Sequence, residues 1–456
     1  MQETIGQKLR RLEVSAKFNN PLINPPLKAV AGWQANTAYA QGDVRSNGGN
    51  DYICYSPGTS ASSGGPSGTG ANAISDGPAV LWFFYGQTAT VSDSLLAPIL
   101  STSVSQPNGL TNGYVVQTND ANFFYAGGVP SVVFSSFYRF PAITAIPGNA
   151  TSNGNNSYFA VTFYTDAPKI AVFAGVSSRP FYYIIDGQYF SLSGLNPSGG
   201  ATLYYVLDFS SVGGRKVRKI TVESDSAGDF GGVYVDPQSQ VWAPDNSDNV
   251  RAIVIGDSYT SGGNNFPIAG KMGWPVEVGK YLGWNDVWSS GLGGTGYIHT
   301  NGSSTNFIGR IQDVIAHSPD VVVIEGGIND EGNTPAQVQA AALAYYQAIR
   351  MALPTVPIIV FGIEIPIVLN ANAIATENAI AAAVAQFNDS MTFFIPIATD
   401  PGGAWFVGSG NVSATTDIGN ADVYISSDAV HPVQAGIDYS ASRKVNAIRK
   451  VISSIP

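Results

Sequence analysis

Residues that many protein chemistries require are scarce in this sequence. Its 456 residues include one cysteine, Cys54, and three histidines, His299, His317 and His431. A single cysteine excludes an intramolecular disulfide, a thiolate zinc site and an iron–sulfur cluster. No two histidines stand at metal-ligand spacing, so we predict no catalytic metal and no cofactor.

Charge and long apolar runs are scarce as well. Asp, Glu, Lys and Arg make up 12% of the chain, and the net charge is −10 at pH 7. This balance disfavours nucleic acid and anionic membranes as partners. No stretch reaches the roughly 20 apolar residues of a membrane-spanning helix, and Met1 to Arg11 lacks the apolar core of a signal peptide. We expect an extracellular or virion-associated protein without membrane insertion, because neutral polar surfaces are typical of that class.

The chain divides into regions that differ in composition and in the spacing of their apolar residues. Its length predicts two to four domains. Residues 1–28 form a terminal helix and arm, which should dock on its own chain or a neighbouring one. Residues 29–87 form a small β module, 88–245 an all-β sandwich or jelly roll, and 246–456 an α/β domain. The acidic run at 245–249 is either an interdomain turn or a calcium site near Asp245 and Asp248.

Aromatic residues dominate the small module. Trp33, Tyr39, Tyr52 and Trp82 resemble the pattern of small chitin-binding-type carbohydrate-binding modules, which also recur in phage tail proteins. The resemblance implies rings that stack on sugars. The alternative is that a module of this size uses its aromatic residues for its own core.

Strand-length apolar runs separated by Gly, Pro, Asn and Ser fill the third region, which predicts the sandwich. The last region alternates strands and helices. Strands are predicted at 250–255, 286–288, 320–324, 357–361 and 392–395, and helices at 273–282, 305–317, 335–353, 371–388 and 432–453. This alternation predicts a parallel sheet covered on both faces, with the site at the carboxyl ends of its strands.

Polar and glycine-rich segments follow these strands. They are Gly256-Asp257-Ser258, Ser289 to Gly296, Gly327-Ile328-Asn329-Asp330 and, before the last helix, Asp428-Ala429-Val430-His431. The second contains a literal Gly-x-Gly-x-x-Gly, but no helix follows it directly, so we exclude a dinucleotide site. Among the histidines, only His431 has an aspartate three residues before it, close enough to orient its ring.

Together these segments resemble the four sequence blocks of the SGNH hydrolases, the superfamily of GDSL-type esterases and lipases. The resemblance implies a three-layer α/β/α, flavodoxin-like fold with Ser258, Asp428 and His431 as the catalytic triad. It also implies an oxyanion hole made by Ser258, Gly294 and Asn329. Ser289 departs from the asparagine that many members carry there.

The same resemblance implies a serine esterase, and the preceding β region is similar to the jelly-roll partner of some carbohydrate esterases. We predict removal of O-acetyl groups from a polysaccharide. Two alternatives stay open: a phage tail or receptor-binding glycan adhesin with secondary esterase activity, and a lipase or thioesterase acting on small acyl esters. By analogy with tail proteins we expect a homotrimer.

Overall fold

The computed structural model describes residues 4–10, 12, 31–40, 43–69, 73–78, 80–87, 97–133, 137–139, 158–175, 181–190, 202–225, 228–246, 249–261, 273–302, 305–364 and 370–455. The chain forms two compact units. One contains the small module and the sandwich, and the other contains the N-terminal residues and the α/β region.

The small module is built from short antiparallel strands. They are β1 (Ala38–Tyr39), β2 (Val44–Asn47), β3 (Asn50–Ser56), β4 (Gly58–Thr59), β5 (Ile74–Asp76) and β6 (Val80–Gln87). A sheet of order β2-β3-β6-β5 carries the core, while β1 pairs with β4. The core consists of Tyr39, Tyr52, Cys54, Val80 and Trp82.

Two antiparallel sheets form the β-sandwich. Its strands are β7 (Ile99–Ser103), β8 (Asn112–Val115), β9 (Phe124–Ala126), β10 (Ser131–Val133), β11 (Phe137–Arg139), β12 (Tyr158–Thr165), β13 (Lys169–Ala174), β14 (Phe181–Ile185), β15 (Gln188–Tyr189), β16 (Leu203–Asp208), β17 (Arg218–Asp225), β18 (Asp229–Val235) and β19 (Val241–Trp242). One sheet has the order β10-β11-β18-β13-β16-β7, with β8 on β18, and the other β15-β14-β17-β12-β19, with β9 on β12. Alternate residues of both sheets, such as Phe159, Val161 and Phe163 of β12, meet in one core, as the period of two along a strand requires.

The α/β region is a five-stranded parallel sheet of order β21-β20-β22-β23-β24. Its strands are β20 (Arg251–Gly256), β21 (Asp286–Gly291), β22 (Val321–Glu325), β23 (Ile358–Phe361) and β24 (Thr392–Ile395). Its helices are α1 (Ser258–Ser261), α2 (Trp274–Leu282), α3 (Gln312–Ile315), α4 (Pro335–Ala352), α5 (Ala371–Phe387), α6 (Ala421–Tyr424) and α7 (Gln434–Ser454). Separate apolar clusters cover the two faces of the sheet, so the predicted three-layer fold is confirmed.

One of the helices predicted from the sequence differs from the structure. The segment 305–317 is a 3₁₀ turn at Ile308–Arg310 followed by the short α3, rather than one continuous helix. Gly309 lies inside the predicted helix, and its N–H bonds the Asn306 side chain at 3.1 Å, which favours a local turn.

The N-terminal residues belong to the α/β unit. Residues 5–10 are helical, and Leu9 and Leu12 join the core that covers one face of the sheet. Arg10 donates to the carbonyl oxygens of Ile452 and Ile455 at 2.9 and 2.8 Å. The helix therefore docks on its own chain, one of the two predicted options. Residues 13–28 of the predicted arm lie outside the described residues.

Candidate active site

The carboxyl ends of three neighbouring strands meet at one edge of the sheet. Gly256, the last residue of β20, is in register with Gly291 of β21 and with Glu325 of β22. The segments that follow these residues carry Ser258, Gly294 and Asn329. The sheet order therefore assembles three of the predicted site segments at the place where parallel sheets hold their sites.

Ser258 opens the short helix α1 directly after β20, and it is half-buried. Its neighbours fix the turn: the Tyr259 N–H bonds Asp257 Oδ1 at 2.9 Å, and the Ser261 N–H bonds the Asp257 carbonyl at 3.0 Å. A Cβ at position 256 would lie 2.6 Å from the Glu325 carbonyl oxygen, closer than real contacts allow. Glycine is therefore required before the Asp-Ser pair.

The loop after β21 lies against the serine. A Cβ placed on Gly293 would be 3.6 Å from Ser258 Cβ. Asn301 Nδ2 donates to the Gly293 carbonyl at 3.1 Å, and His299 Nδ1 donates to the Gly294 carbonyl at 2.6 Å. Because a trans peptide opposes its C=O and N–H, the Gly294 N–H points away from Asn301.

Asn329 follows β22 in the 3₁₀ turn Ile328–Asp330. Its Nδ2 donates to the Thr295 carbonyl at 2.9 Å and lies 3.5 Å from Asp257 Oδ2. The neighbouring Asp330, fully buried, accepts the N–H groups of residues 297, 298 and 299 at 2.7, 3.1 and 2.8 Å. Asn329 thus touches both the serine segment and the glycine loop, and Asp330 holds that loop in place.

His431 and Asp428 form a hydrogen-bonded pair before α7. His431 Nδ1 donates to Asp428 Oδ2 at 2.7 Å, which leaves Nε2 unprotonated in the neutral ring. Burial disfavours the Asp428 carboxylate, but hydrogen bonds from Ser426, the His431 ring and two backbone N–H groups outweigh it and lower the pKa of Asp428 to about 2. The carboxylate therefore stays ionised at any pH where the imidazole acts as a base.

A fully buried arginine, Arg310, lies beneath the site and belongs to none of the predicted sequence motifs. Arg310 donates to the Gly256 carbonyl at 2.6 Å, to the Ser290 carbonyl at 2.7 Å and to Thr295 Oγ1 at 3.1 Å. Burial lowers the pKa of its guanidinium to about 10, so it remains charged near neutral pH. It joins the end of the serine strand to the glycine loop.

A second network of buried polar side chains has no signature in the sequence. Lys444 of α7 bonds Glu364 and lies 3.5 Å from Glu325, while Thr260 donates to Glu325 at 2.6 Å. Burial raises the pKa of Glu325 to about 7, an effect that Lys444 opposes and Glu364 reinforces. Because these residues are far apart in sequence, only the folded chain reveals that they form one group.

The aromatic residues of the small module serve mainly its core. Tyr39, Tyr52 and Trp82 are 3%, 1% and 0% exposed, and Asp76 accepts the indole N–H of Trp82 at 2.9 Å. Rings buried in this way have no free face for a sugar, which favours the core over sugar stacking, the two roles that the sequence left open for these residues. Trp33 is half-buried, and its indole N–H bonds the same Asp76 at 2.6 Å.

Two other features bear on the predictions. Within the described ranges, no group of three or more His, Cys, Asp and Glu side chains is arranged to hold a metal ion. The choice between an interdomain turn and a calcium site at residues 245–249 stays open, since residues 247 and 248 lie outside those ranges. The helices in the described part of the chain are all too short or too polar to cross a membrane.

Solved structures share this architecture. They include the salicylyl-acyltransferase SsfX3 from a tetracycline biosynthetic pathway, with 15% identity, a TM-score of 0.53, and coverage of 77% of this chain and 100% of that chain. A family two carbohydrate esterase from Cellvibrio japonicus has 12% identity, a TM-score of 0.52, and coverage of 78% and 100%. Another from Clostridium thermocellum, in complex with cellohexaose, has 15% identity, a TM-score of 0.50, and coverage of 73% and 99%. At these identities the likeness concerns the fold.

Curated proteins give no match to this chain. Residues 254–437 match the family described as the GDSL-like lipase/acylhydrolase family, and this range contains all four of the predicted sequence blocks. The match covers less than half of the chain and shows that residues 254–437 are similar to this family.

Proposed function

We propose that the protein is a serine esterase in which Ser258, His431 and Asp428 form the catalytic triad. The observation that carries the proposal is the His431–Asp428 hydrogen bond of 2.7 Å, made by an imidazole that packs against Tyr259, the residue next to Ser258. An oriented base that packs against the residue next to a half-buried serine supports a role in activating the serine hydroxyl as a nucleophile.

Acylation follows from this arrangement. Ser258 Oγ forms a bond to the ester carbonyl carbon while His431 Nε2 takes its proton. The tetrahedral intermediate collapses by breaking the bond to the alkoxide, which leaves with the proton from His431. Asp428 stabilises the imidazolium in between. Water then repeats the sequence: it gives a proton to His431, attacks the acyl carbon and releases the acid as Ser258 regains its proton.

The oxyanion of each intermediate needs hydrogen-bond donors. We assign this role to the N–H groups of Ser258 and Gly294 and to the side-chain amide of Asn329. Each donor of this kind lowers the barrier by about 3 kcal/mol. One Nδ2 hydrogen of Asn329 bonds Thr295, and the second, which makes only the 3.5 Å contact with Asp257, is the one we assign to the oxyanion. The anchoring of Asn329 on Thr295 and of the glycine loop on His299 and Asn301 supports this role, because pre-oriented donors need little reorganisation during the reaction.

For the substrate we propose an O-acetylated polysaccharide. Two of the solved structures with this architecture are described as carbohydrate esterases. The low charge of the chain also suits a glycan partner. Small acyl esters and thioesters are the alternative substrates that an experiment must separate from glycans.

The test measures acetate release from a panel of acetylated polysaccharides and hydrolysis of aryl acetate, aryl octanoate and acyl thioester. Ser258→Ala should abolish turnover, whereas Ser453→Ala, at an exposed serine of α7, should retain it within several-fold. Preference for one acetylated glycan supports the proposed substrate, and preference for octanoate or thioester replaces it. A folded wild-type protein that hydrolyses none of these esters overturns the esterase function, and glycan binding by that protein would then favour an adhesin.

A further inference from the structure

The nucleophile and the base come from opposite ends of the α/β region. Ser258 follows its first strand, and His431 precedes its last helix. Transfer of a proton between two such side chains depends on a separation set by tertiary structure. A contact that links the two segments directly is therefore of functional interest.

Tyr259 provides such a contact. It follows Ser258, is 4% exposed, and donates its hydroxyl to the Val430 carbonyl oxygen at 2.6 Å. Val430 in turn precedes His431. The phenol ring is a rigid spacer with two rotatable torsions, so the hydrogen bond at its far end fixes the distance between the two backbone segments.

The same ring packs beside the imidazole. The ring centroids of Tyr259 and His431 are 5.7 Å apart, with an angle of 43° between the planes. Asp428 Oδ2 bonds the imidazole Nδ1. The imidazole is therefore held by a carboxylate and by the phenol ring.

The turn that carries His431 is internally rigid. Asp428 Oδ1 accepts the N–H groups of Val430 and His431, each at 2.9 Å, and the Ser426 N–H bonds the His431 carbonyl at 2.8 Å. Ala429 adopts a left-handed conformation with a φ of 58°. A turn of this kind moves as one body, so a tether at the Val430 carbonyl positions the imidazole as well.

We propose that Tyr259 is a positioning residue whose hydroxyl, by holding the Val430 carbonyl, sets the alignment of His431 with Ser258. This inference rests on the esterase function proposed above and deepens it. Tyr259 does not touch the reacting atoms; it acts through the histidine turn.

Removal of the hydroxyl should affect catalysis more than folding. The ring of Tyr259→Phe still fills its place in the core, and the group that loses a hydrogen bond is the carbonyl of Val430, a residue that is 42% exposed. Misplacement of a catalytic group by about 1 Å costs on the order of 10²-fold in rate. We expect kcat of Tyr259→Phe on an aryl acetate to fall roughly 10- to 100-fold with KM changed less than about twofold, because substrate binding does not use the tether.

The matched control is Tyr345→Phe. Tyr345 is also buried in the α/β unit, and its hydroxyl has no hydrogen-bond partner among the residues that the structure describes. Both variants lose one phenolic hydroxyl from a buried ring. The control should keep kcat within about twofold.

A second measurement is independent of turnover. The Nδ1 proton of His431, which bonds Asp428, should give a downfield proton resonance in NMR spectra of the wild type. It should broaden or disappear through faster exchange in Tyr259→Phe and persist in Tyr345→Phe. An unchanged resonance and an unchanged kcat in Tyr259→Phe would overturn the inference. Absence of turnover in the wild type would overturn the esterase function instead, and the resonance would still decide whether Tyr259 positions the turn.

Discussion

At the scale of single residues, Asp428 uses both carboxylate oxygens on one turn. Oδ2 accepts the His431 ring proton, and Oδ1 accepts from Ser426 Oγ at 2.5 Å and from two backbone N–H groups. The pKa of this carboxyl, about 2, lies below its ordinary value of 3.8. Its contribution to stability is therefore complete above pH 3.8 and is lost as the pH falls through about 2.

Asp428→Asn should reduce kcat on the order of 10⁴-fold, because an amide favours the histidine tautomer that cannot accept the serine proton. The measurement is kcat on an aryl acetate between pH 5 and about 9. Asp422→Asn serves as the control, since Asp422 also accepts two backbone N–H groups, at 2.8 and 2.6 Å, but holds a turn without a histidine. Equal losses in the two variants would contradict a catalytic role for Asp428.

At the scale of elements, buried polar side chains join the segments that carry the site. Arg310 joins the end of β20 to the loop after β21, and Lys444 joins α7 to Glu325 at the end of β22 and to Glu364 after β23. Such groups are costly to bury unless each has its partners, and loss of one partner leaves the other unsatisfied. From their placement under the candidate site we expect stability to be coupled to the geometry of the proposed oxyanion hole.

Arg310→Met should lower kcat on the order of 10²-fold and destabilise the α/β unit, because the Gly256 and Ser290 carbonyl oxygens lose a charged donor. The matched control is Arg218→Met in the sandwich. Arg218 is also buried and donates to the carbonyl oxygens of Val212, Gly214 and Lys216 at 3.0, 2.9 and 3.0 Å.

Both arginine variants should unfold more easily in urea, but only Arg310→Met should lose activity under native conditions. If Arg310→Met left kcat unchanged, the bonds from Arg310 to Gly256 and Thr295 would not set the catalytic geometry. Reduced activity in Arg218→Met would point to a general effect of destabilisation.

At the scale of the whole molecule, both ends of the chain contribute to one core. Leu9 and Leu12 pack with Ile452 and Ile455, and Arg10 bonds the last turn of α7 through backbone carbonyl oxygens. The Leu9 side chain is fully buried. Residues 5–10 and Leu12 are therefore part of the α/β unit, although the small module and the sandwich follow them in sequence.

Leu9→Ala should lower the free energy of unfolding of the α/β unit by about 2–5 kcal/mol, since it leaves a cavity in that core. Met351→Ala is the control, because Met351 is 84% exposed on α4 and its truncation should change stability by less than about 0.5 kcal/mol. Urea unfolding followed by circular dichroism measures both. An unchanged midpoint for Leu9→Ala would mean that the N-terminal helix adds little to the unit.

Local patterns in the amino-acid sequence are enough to predict the architecture of the α/β region. The apolar runs and the glycine-rich turns after them predict the succession of strands and helices along the chain, the parallel sheet and the four site segments. They can do so because periodicity and turn chemistry are properties of neighbouring residues. The pairing of Asp428 with His431 is local in the same sense, three residues apart on one turn.

Contacts between distant residues have no such signature, and only the folded chain decides them. Arg310 beneath Gly256, Lys444 beside Glu325 and Tyr259 on Val430 join segments that no periodic pattern relates. Burial is also a tertiary property: the rings of Tyr39, Tyr52 and Trp82 fit a sugar site or a core equally well in sequence, and the packing of the small module places them in the core.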